Sequence, residues 1–211
     1  LARILASQPS ILMLDEPFSA LDSYLKWQLE LEMANVLESF DGTTLFVSHN
    51  RDEVYRICDK VAVLSDGRID KLSDKWELFS HPQTLASSLL TGCKNTSPAV
   101  KLSEHEVKAL DWGLTFTCEE TVPDNIRYLG IRAHYFTACK NAETSNTFLC
   151  EIVRVIEDTF STIVVVRNQG RQPETETGCI RWELPKEQWK HIKDRPIYLH
   201  IEPKYLQLLG R

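Results

Sequence analysis

Two hundred and eleven residues suit one or two domains. Charged residues at 26% and apolar residues at 43% exclude a wholly disordered chain, and a net charge of −6 excludes a strongly basic nucleic-acid binder. The charge is uneven: residues 1–92 carry 8 basic and 14 acidic groups, whereas residues 93–211 are balanced, which predicts two domains with a boundary near Gly92.

No apolar stretch approaches the roughly 18 residues of a spanning helix. The start has no basic segment followed by a long apolar run, so no secretory leader is read there. Cysteines at 58, 93, 118, 139, 150 and 179 form no C-x-x-C pair and no zinc-finger spacing with histidine. They read as free thiols in a reducing compartment.

In chain order, Ser10–Leu14 is a short apolar run that stops at Asp15-Glu16-Pro17, the pattern of a buried parallel strand with charge at its C-terminal edge. Leu21, Leu25, Leu29, Met33, Val36, Leu37 and Phe40 fall at helical spacing, with Lys26, Glu30, Glu32 and Glu38 expected on the surface. Asp41-Gly42 ends that helix. Thr43–Val47 is a second buried strand running into Ser48-His49-Asn50, and residues 51–58 predict a short helix. Val61–Leu64 predicts a third strand of the same sheet. This alternation is the α/β pattern of a parallel sheet. Two short helices follow, over 76–79 and 83–90, separated by Pro82.

After Gly92 the texture changes. Asn95-Thr96-Ser97-Pro98 reads as a linker. Short β-branched and apolar runs follow at 114–118, 128–131, 147–155, 162–166, 180–184 and 197–201, without helices between them. They predict a small β-barrel or sandwich. No internal repeat is evident. Trp112, Trp182 and Trp189 are expected to pack in the core or at its rim rather than cage a ligand. His105, His191 and His200 are too scattered to suggest a metal site.

The chemistry concentrates at two predicted strand ends. An acid at the end of a buried parallel strand points into the crevice where α/β folds bind ligands. Asp15 there suits Mg²⁺ held against nucleotide phosphates. Glu16 suits a role in orienting or deprotonating an attacking water, and His49 suits contact with a terminal phosphate.

With Ser19-Ala20-Leu21-Asp22 between these residues, the chain resembles the ATP-binding subunits of ABC transporters over residues 1 to about 92. The resemblance implies a truncated P-loop NTPase-type parallel sheet. Asp15 and Glu16 match that family's Walker B aspartate and catalytic glutamate, Ser19–Asp22 its D-loop, and His49 its switch histidine. Leu1–Ala6 resembles the helix after the signature motif. His81-Pro82-Gln83-Thr84 resembles the exit from the nucleotide domain in importer ATPases. The resemblance implies ATP and Mg²⁺ as cofactors, with Glu16 and His49 catalytic. Asp15 would hold the metal, and Ser19 and Asp22 would lie at the nucleotide and opposite-subunit side. It also implies a homodimer that drives membrane permease subunits from the cytoplasmic face of the membrane.

The chain has no G-x-x-x-x-G-K-[ST] and no Gly-Gly pair, so the phosphate cradle and the family's signature are absent. It starts with Leu and reads as the C-terminal part of a longer protein, expected to show no ATPase activity by itself.

Residues 93–211 refine the resemblance. Leu90–Asn95, Gly130-Ile131-Arg132-Ala133-His134 and Asn146–Cys150 are similar to the molybdate or tungstate importer ATPases, whose C-terminal module is a molybdate-binding-protein-like (TOBE-like) barrel. Cys150 stands where that pattern has Gly, and His134 where many relatives have Glu. The resemblance implies an oxyanion site at Ser145, Asn146 and Thr147, which would make the barrel a sensor; as residues alone they also read as a polar turn. The alternatives are an importer of sulfate, iron, sugar or polyamine, and a barrel that only dimerises the subunits.

Overall fold

The computed structural model describes residues 4, 7, 9–70, 72–169 and 178–210. Of the predicted helix over residues 1–6, all but residue 4 lies outside the described residues. The chain divides into two compact units, residues 1–78 and 79–211.

In the first unit, β1 (Ile11–Asp15) and β2 (Thr43–Val47) pair in parallel, Ile11 opposite Thr43 and Asp15 opposite Val47. Helix α1 (Ser23–Glu38) is the crossover between them, and α2 (Arg51–Ile57) follows β2. Leu12 and Phe18 are buried, and the Phe18 and Phe46 rings meet at 6.2 Å. Both helices begin on a side-chain cap. Asp22 Oδ1 accepts from the Tyr24 and Leu25 amides at 3.1 and 3.0 Å, and Asn50 Oδ1 accepts from those of Asp52 and Glu53 at 2.9 and 3.3 Å. Such caps satisfy amides that have no partner inside the helix.

Two expectations fail here. The third strand does not join the parallel sheet. Its residues split between two small antiparallel ribbons: β3 (Lys60–Val61) with β6 (Ser73–Asp74), and β4 (Leu64–Ser65) with β5 (Arg68–Ile69). The Asp66-Gly67 turn, with both residues at positive φ, folds β4 back on β5 before a longer strand can form. Glu30, expected on the surface, is 3% exposed and bonds Arg56 at 2.5 Å.

One face of the β1–β2 pair is open. Ile11, Met13, Leu45 and Val47 share it and are 48–71% exposed. Contiguous exposed apolar surface of this kind drives association. The chain is expected to bind a solvatochromic dye such as ANS and to scatter light increasingly with concentration. Ile11→Lys and Leu45→Lys should abolish both effects.

Two short helices come next in sequence, α3 (Lys75–Ser80) and α4 (Leu85–Leu90). The second unit is built from two five-stranded antiparallel sheets. The first contains β7 (Asn95–Ser103), β8 (Glu106–Ala109), β9 (Leu114–Thr117), β10 (Tyr128–Ile131) and β16 (Gln207–Leu209), in the order β16-β10-β7-β8-β9. The second contains β11 (Thr137–Cys139), β12 (Thr147–Glu157), β13 (Ser161–Asn168), β14 (Ile180–Pro185) and β15 (Ile197–His200), in the order β11-β15-β12-β13-β14. Helix α5 (Lys186–Ile192) follows β14.

The expected barrel is thus two open sheets. One core cluster draws Val107, Phe116 and Leu129 from the first sheet and Phe148, Val164, Trp182 and Leu199 from the second. Two facing sheets bury that set without closing either one.

The sheets repeat each other strand for strand. Ile131 lies opposite Asn95 and Gly130 opposite Thr96; equivalently, the Ile201 amide bonds the Asn146 carbonyl and His200 lies opposite Thr147. Gln207 pairs with Gly130 as Thr137 pairs with His200. The outermost strands are exchanged: β11 follows β10 in sequence but joins the second sheet, and β16 follows β15 but joins the first. A 3-10 turn leads into each exchanged strand, and the two turns bring Tyr135 and Tyr205 into a stack at 4.0 Å.

Two asparagines join the sheets. Asn95 Oδ1 accepts from the Arg181 amide at 2.6 Å, and its Nδ2 donates to the Arg181 and Ile131 carbonyls at 2.9 and 3.1 Å. Asn146 does the same to Thr117: Oδ1 accepts from its amide at 2.7 Å and Nδ2 donates to its carbonyl at 2.9 Å. The predicted linker Asn95–Pro98 is therefore an interior part of β7. Ser97 is fully buried, its hydroxyl accepting from the Asp111 amide at 3.0 Å.

The compact units divide after Leu78, ahead of Gly92. The segment after Leu78 is tied into the second unit. Arg132 donates to the Thr91 and Phe79 carbonyls at 2.5 and 2.7 Å, and Ser88 Oγ donates to Gln207 Oε1 at 2.6 Å. A methyl group on Gly130 would stand 3.0–3.3 Å from Gln207, Ser88 and Cys93, so glycine lets α4 approach the sheet.

None of the six cysteines is in a disulfide. Burial pushes the Cys118 thiol up to about 11 and the Cys150 thiol up to about 12. In the unfolded chain these thiols ionise near pH 9, so their contribution to stability is intact below pH 9 and lost as pH climbs toward 12. Between pH 9 and 10.5, Cys150 alone is expected to remove about 2 kcal/mol. Urea denaturation at those two pH values checks this, and the slope should flatten in Cys150→Ala.

Candidate functional site

The C-terminal ends of β1 and β2 lie side by side, so Asp15-Glu16 and Ser48-His49 emerge at one edge of the parallel pair. This is the end at which open α/β sheets bind ligands.

Glu16 has φ 43, a left-handed conformation uncommon for a residue with a Cβ. Three bonds hold it there. Its amide donates to the Val47 carbonyl at 2.8 Å, and its own carbonyl accepts from the Ser19 amide and hydroxyl at 3.2 and 3.0 Å. Such strain concentrates at functional sites, where the surroundings over-determine an unfavourable backbone.

The side chain of Glu16 meets His49: Nδ1 and Oε1 are 2.8 Å apart. An ionised carboxylate only accepts, so Nδ1 carries the proton and Nε2 is left available. The His49 side chain is 75% exposed and that of Glu16 43%, so the pair opens to solvent. Asp15 is exposed, and its carboxylate has no hydrogen-bond partner among the described residues. Asp15, Glu16 and His49 are therefore brought together.

Ser19 and Asp22 stand beside them in a different role. Ser19 braces the Glu16 carbonyl, and Asp22 spends one oxygen on capping α1. Ser145, Asn146 and Thr147 lie in the second unit. Asn146 is 8% exposed with its amide engaged on Thr117, while the Thr147 hydroxyl lies 3.0 Å from His200 Nδ1 and 2.8 Å from the Thr144 hydroxyl.

Sequence reading missed Ser48, Glu53 and Lys26. Glu53, 3% exposed, accepts from Ser48 Oγ at 2.5 Å and pairs with Lys26 of α1. An acid in the first turn of a short helix signals only an N-terminus, so the partners were visible only in three dimensions.

With this geometry in place, similar proteins narrow the chemistry. The chain is 30% identical over 157 residues to the Fe(3+) ions import ATP-binding protein FbpC of Haemophilus influenzae, covering 74% of this chain and 44% of the relative. It is similar to further import ATP-binding proteins. The spermidine/putrescine import ATP-binding protein PotA of Roseobacter denitrificans is 29% identical over 180 residues, covering 82% and 49%. The sulfate/thiosulfate import ATP-binding protein CysA of Caulobacter vibrioides is 40% identical over 84 residues, covering 40% and 25%. The chain spans about half the length of FbpC and PotA, and a quarter of CysA. No family model matches it. Among the described residues, no helix is long and apolar enough to cross a membrane.

Proposed function

We propose that residues 1–92 belong to the nucleotide-binding domain of an ABC importer ATPase, that residues 93–211 are its regulatory domain, and that Asp15, Glu16 and His49 serve ATP hydrolysis. The observation that carries this reading is the Glu16–His49 contact of 2.8 Å at the C-terminal edge of a parallel strand pair. The import ATP-binding relatives support it.

Glu16 would take the proton of the attacking water through its carboxylate, whose other oxygen is free of the His49 bond. His49, oriented through Nδ1, would present Nε2 to the terminal phosphate. Asp15 is an exposed hard-oxygen donor of the kind that holds Mg²⁺ together with phosphate oxygens. When bound, Mg²⁺ would neutralise charge building up on the phosphates. Asp22 and Ser19 would shape the loop that faces an opposing subunit. Permease subunits and a second ATPase copy are the partners this reading requires, at the cytoplasmic face of the membrane.

For cargo, iron(III), sulfate or thiosulfate, and polyamine are the classes named among the relatives, and we place the chain with an importer of one of these. Molybdate or tungstate is the second reading. It rests on Thr91–Asn95 and on Ser145–Thr147, and in both stretches side chains have structural work: Thr91 receives Arg132, Asn95 clips Arg181 and Asn146 clips Thr117.

The test is uptake by cells that lack the intact subunit and are complemented with wild type or Glu16→Gln. Labelled iron, sulfate, spermidine and molybdate would be offered in turn. Restored uptake of one cargo, lost in Glu16→Gln, is expected. Restoration by both forms alike would overturn the hydrolytic role of Glu16.

A further inference from the structure

His49 is mostly exposed, and among the described residues its ring is held by one side-chain contact, to Glu16. A side chain in that state needs its backbone fixed from behind. The residue before it supplies a path. Ser48 Oγ accepts from the Asn50 amide at 3.0 Å and donates to Glu53 Oε2 at 2.5 Å. The hydroxyl thus spans the His49 backbone and anchors both of its neighbours. The other carboxylate oxygen of Glu53 pairs with Lys26 Nζ. Lys26 lies one turn into α1, and its amide bonds the carbonyl of the cap, Asp22. A second ion pair, Glu30 with Arg56 at 2.5 Å, clasps the same two helices one turn further along.

Glu53 is 3% exposed. Burying a carboxylate and its lysine is costly, and a well-packed apolar pair would join two helices at least as firmly. The distinctive property of the charged arrangement is that it fixes one geometry, because Glu53 must point one oxygen at Lys26 and the other at Ser48.

We propose that Lys26, Glu53 and Ser48 form a positioning relay through which helix α1, starting at Asp22, holds the loop that carries His49 against Glu16. The relay rests on the reading of Glu16 and His49 as the hydrolytic pair. A shift of α1 at its Asp22 end would reach His49 through three side-chain contacts, linking the loop that faces an opposing subunit to the phosphate-sensing histidine. Lys26, Glu53 and Ser48 touch no reacting atom in this scheme; they are positioning residues.

Two measurements separate the relay from the hydrolytic reading. The first uses this chain and needs no activity: the imidazole nitrogens of His49 are followed by proton–nitrogen NMR. In wild type the signals should report a proton held on Nδ1. In Ser48→Ala and Glu53→Gln they should move to the averaged tautomers of a free imidazole, while the backbone amide signals of Leu12 and Phe46 stay put and show that the first unit is folded. Ser48→Thr, which keeps the hydroxyl, should restore the wild-type signals. A wild-type His49 spectrum in Ser48→Ala overturns the relay.

The second measurement uses ATP hydrolysis by the intact subunit. Ser48→Ala and Lys26→Met should each lower kcat about tenfold, as loss of a supporting contact does elsewhere, with KM within twofold. The double variant should be little slower than either single one. Full kcat in both single variants, beside a dead Glu16→Gln, overturns the relay and leaves the hydrolytic reading standing. Unchanged turnover in Glu16→Gln overturns the hydrolytic reading, and the NMR result then decides the relay by itself.

Discussion

Asn95→Ala is expected to cost about 3–5 kcal/mol and to lower the melting temperature of the second unit by more than 10 °C. The side chain is 3% exposed and makes three hydrogen bonds, so its removal strands one amide and weakens two carbonyls in the core. A domain of this size holds roughly 5–15 kcal/mol in all. Asn95→Asp should be no better, because a carboxylate cannot donate and would face the carbonyls of Ile131 and Arg181. Asn146→Ala should cost about 2–4 kcal/mol: it loses the two bonds to Thr117, and alanine is strained at φ 58. Urea denaturation of the four proteins checks the ranking. An Asn95→Ala variant within 1 kcal/mol of wild type would show that the clip does not hold the sheets together.

The second large effect is catalytic. Glu16→Gln is expected to lower ATP hydrolysis by the intact subunit by about 10²–10⁴-fold, the usual contribution of a general base. Glutamine keeps the size of the side chain and the bond to His49, so the loss would reflect proton transfer rather than collapse. His49→Ala should lower it as well, whereas Asp22→Ala should cost about 1 kcal/mol of stability through the lost cap of α1. A Glu16→Gln rate within tenfold of wild type would remove Glu16 from the role of base.

The C-terminal edge of the β1–β2 pair was legible because its signals are local. An apolar run ending in Asp15-Glu16, a helical period, and a second run ending in Ser48-His49 specify where each side chain emerges before any tertiary contact is known. Asn95–Pro98 was misread for the same reason. Asn, Ser and Pro compete locally for turns, and only the sheet partners Arg181, Ile131 and Asp111 make them interior residues. Lys26 and Glu30 looked like a solvated helix face, because a buried acid is recognisable only when its partner, here Arg56, is in view. The repeat escaped because few identities survive between its halves. Asn95-Thr96 and Asn146-Thr147 recur, as do Tyr128-Leu129 and Tyr198-Leu199, while Gly130 and His200 fill equivalent places with unlike side chains.

The exchange of β11 and β16 makes the two halves of the second unit hostages to each other. The first sheet is incomplete until the three-residue strand Gln207–Leu209 has crossed to β10, and the second until Thr137–Cys139 has crossed to β15. A ribosome that has released only the residues before Gln207 has produced an unfinished core, so this unit folds only once the crossing strand has emerged.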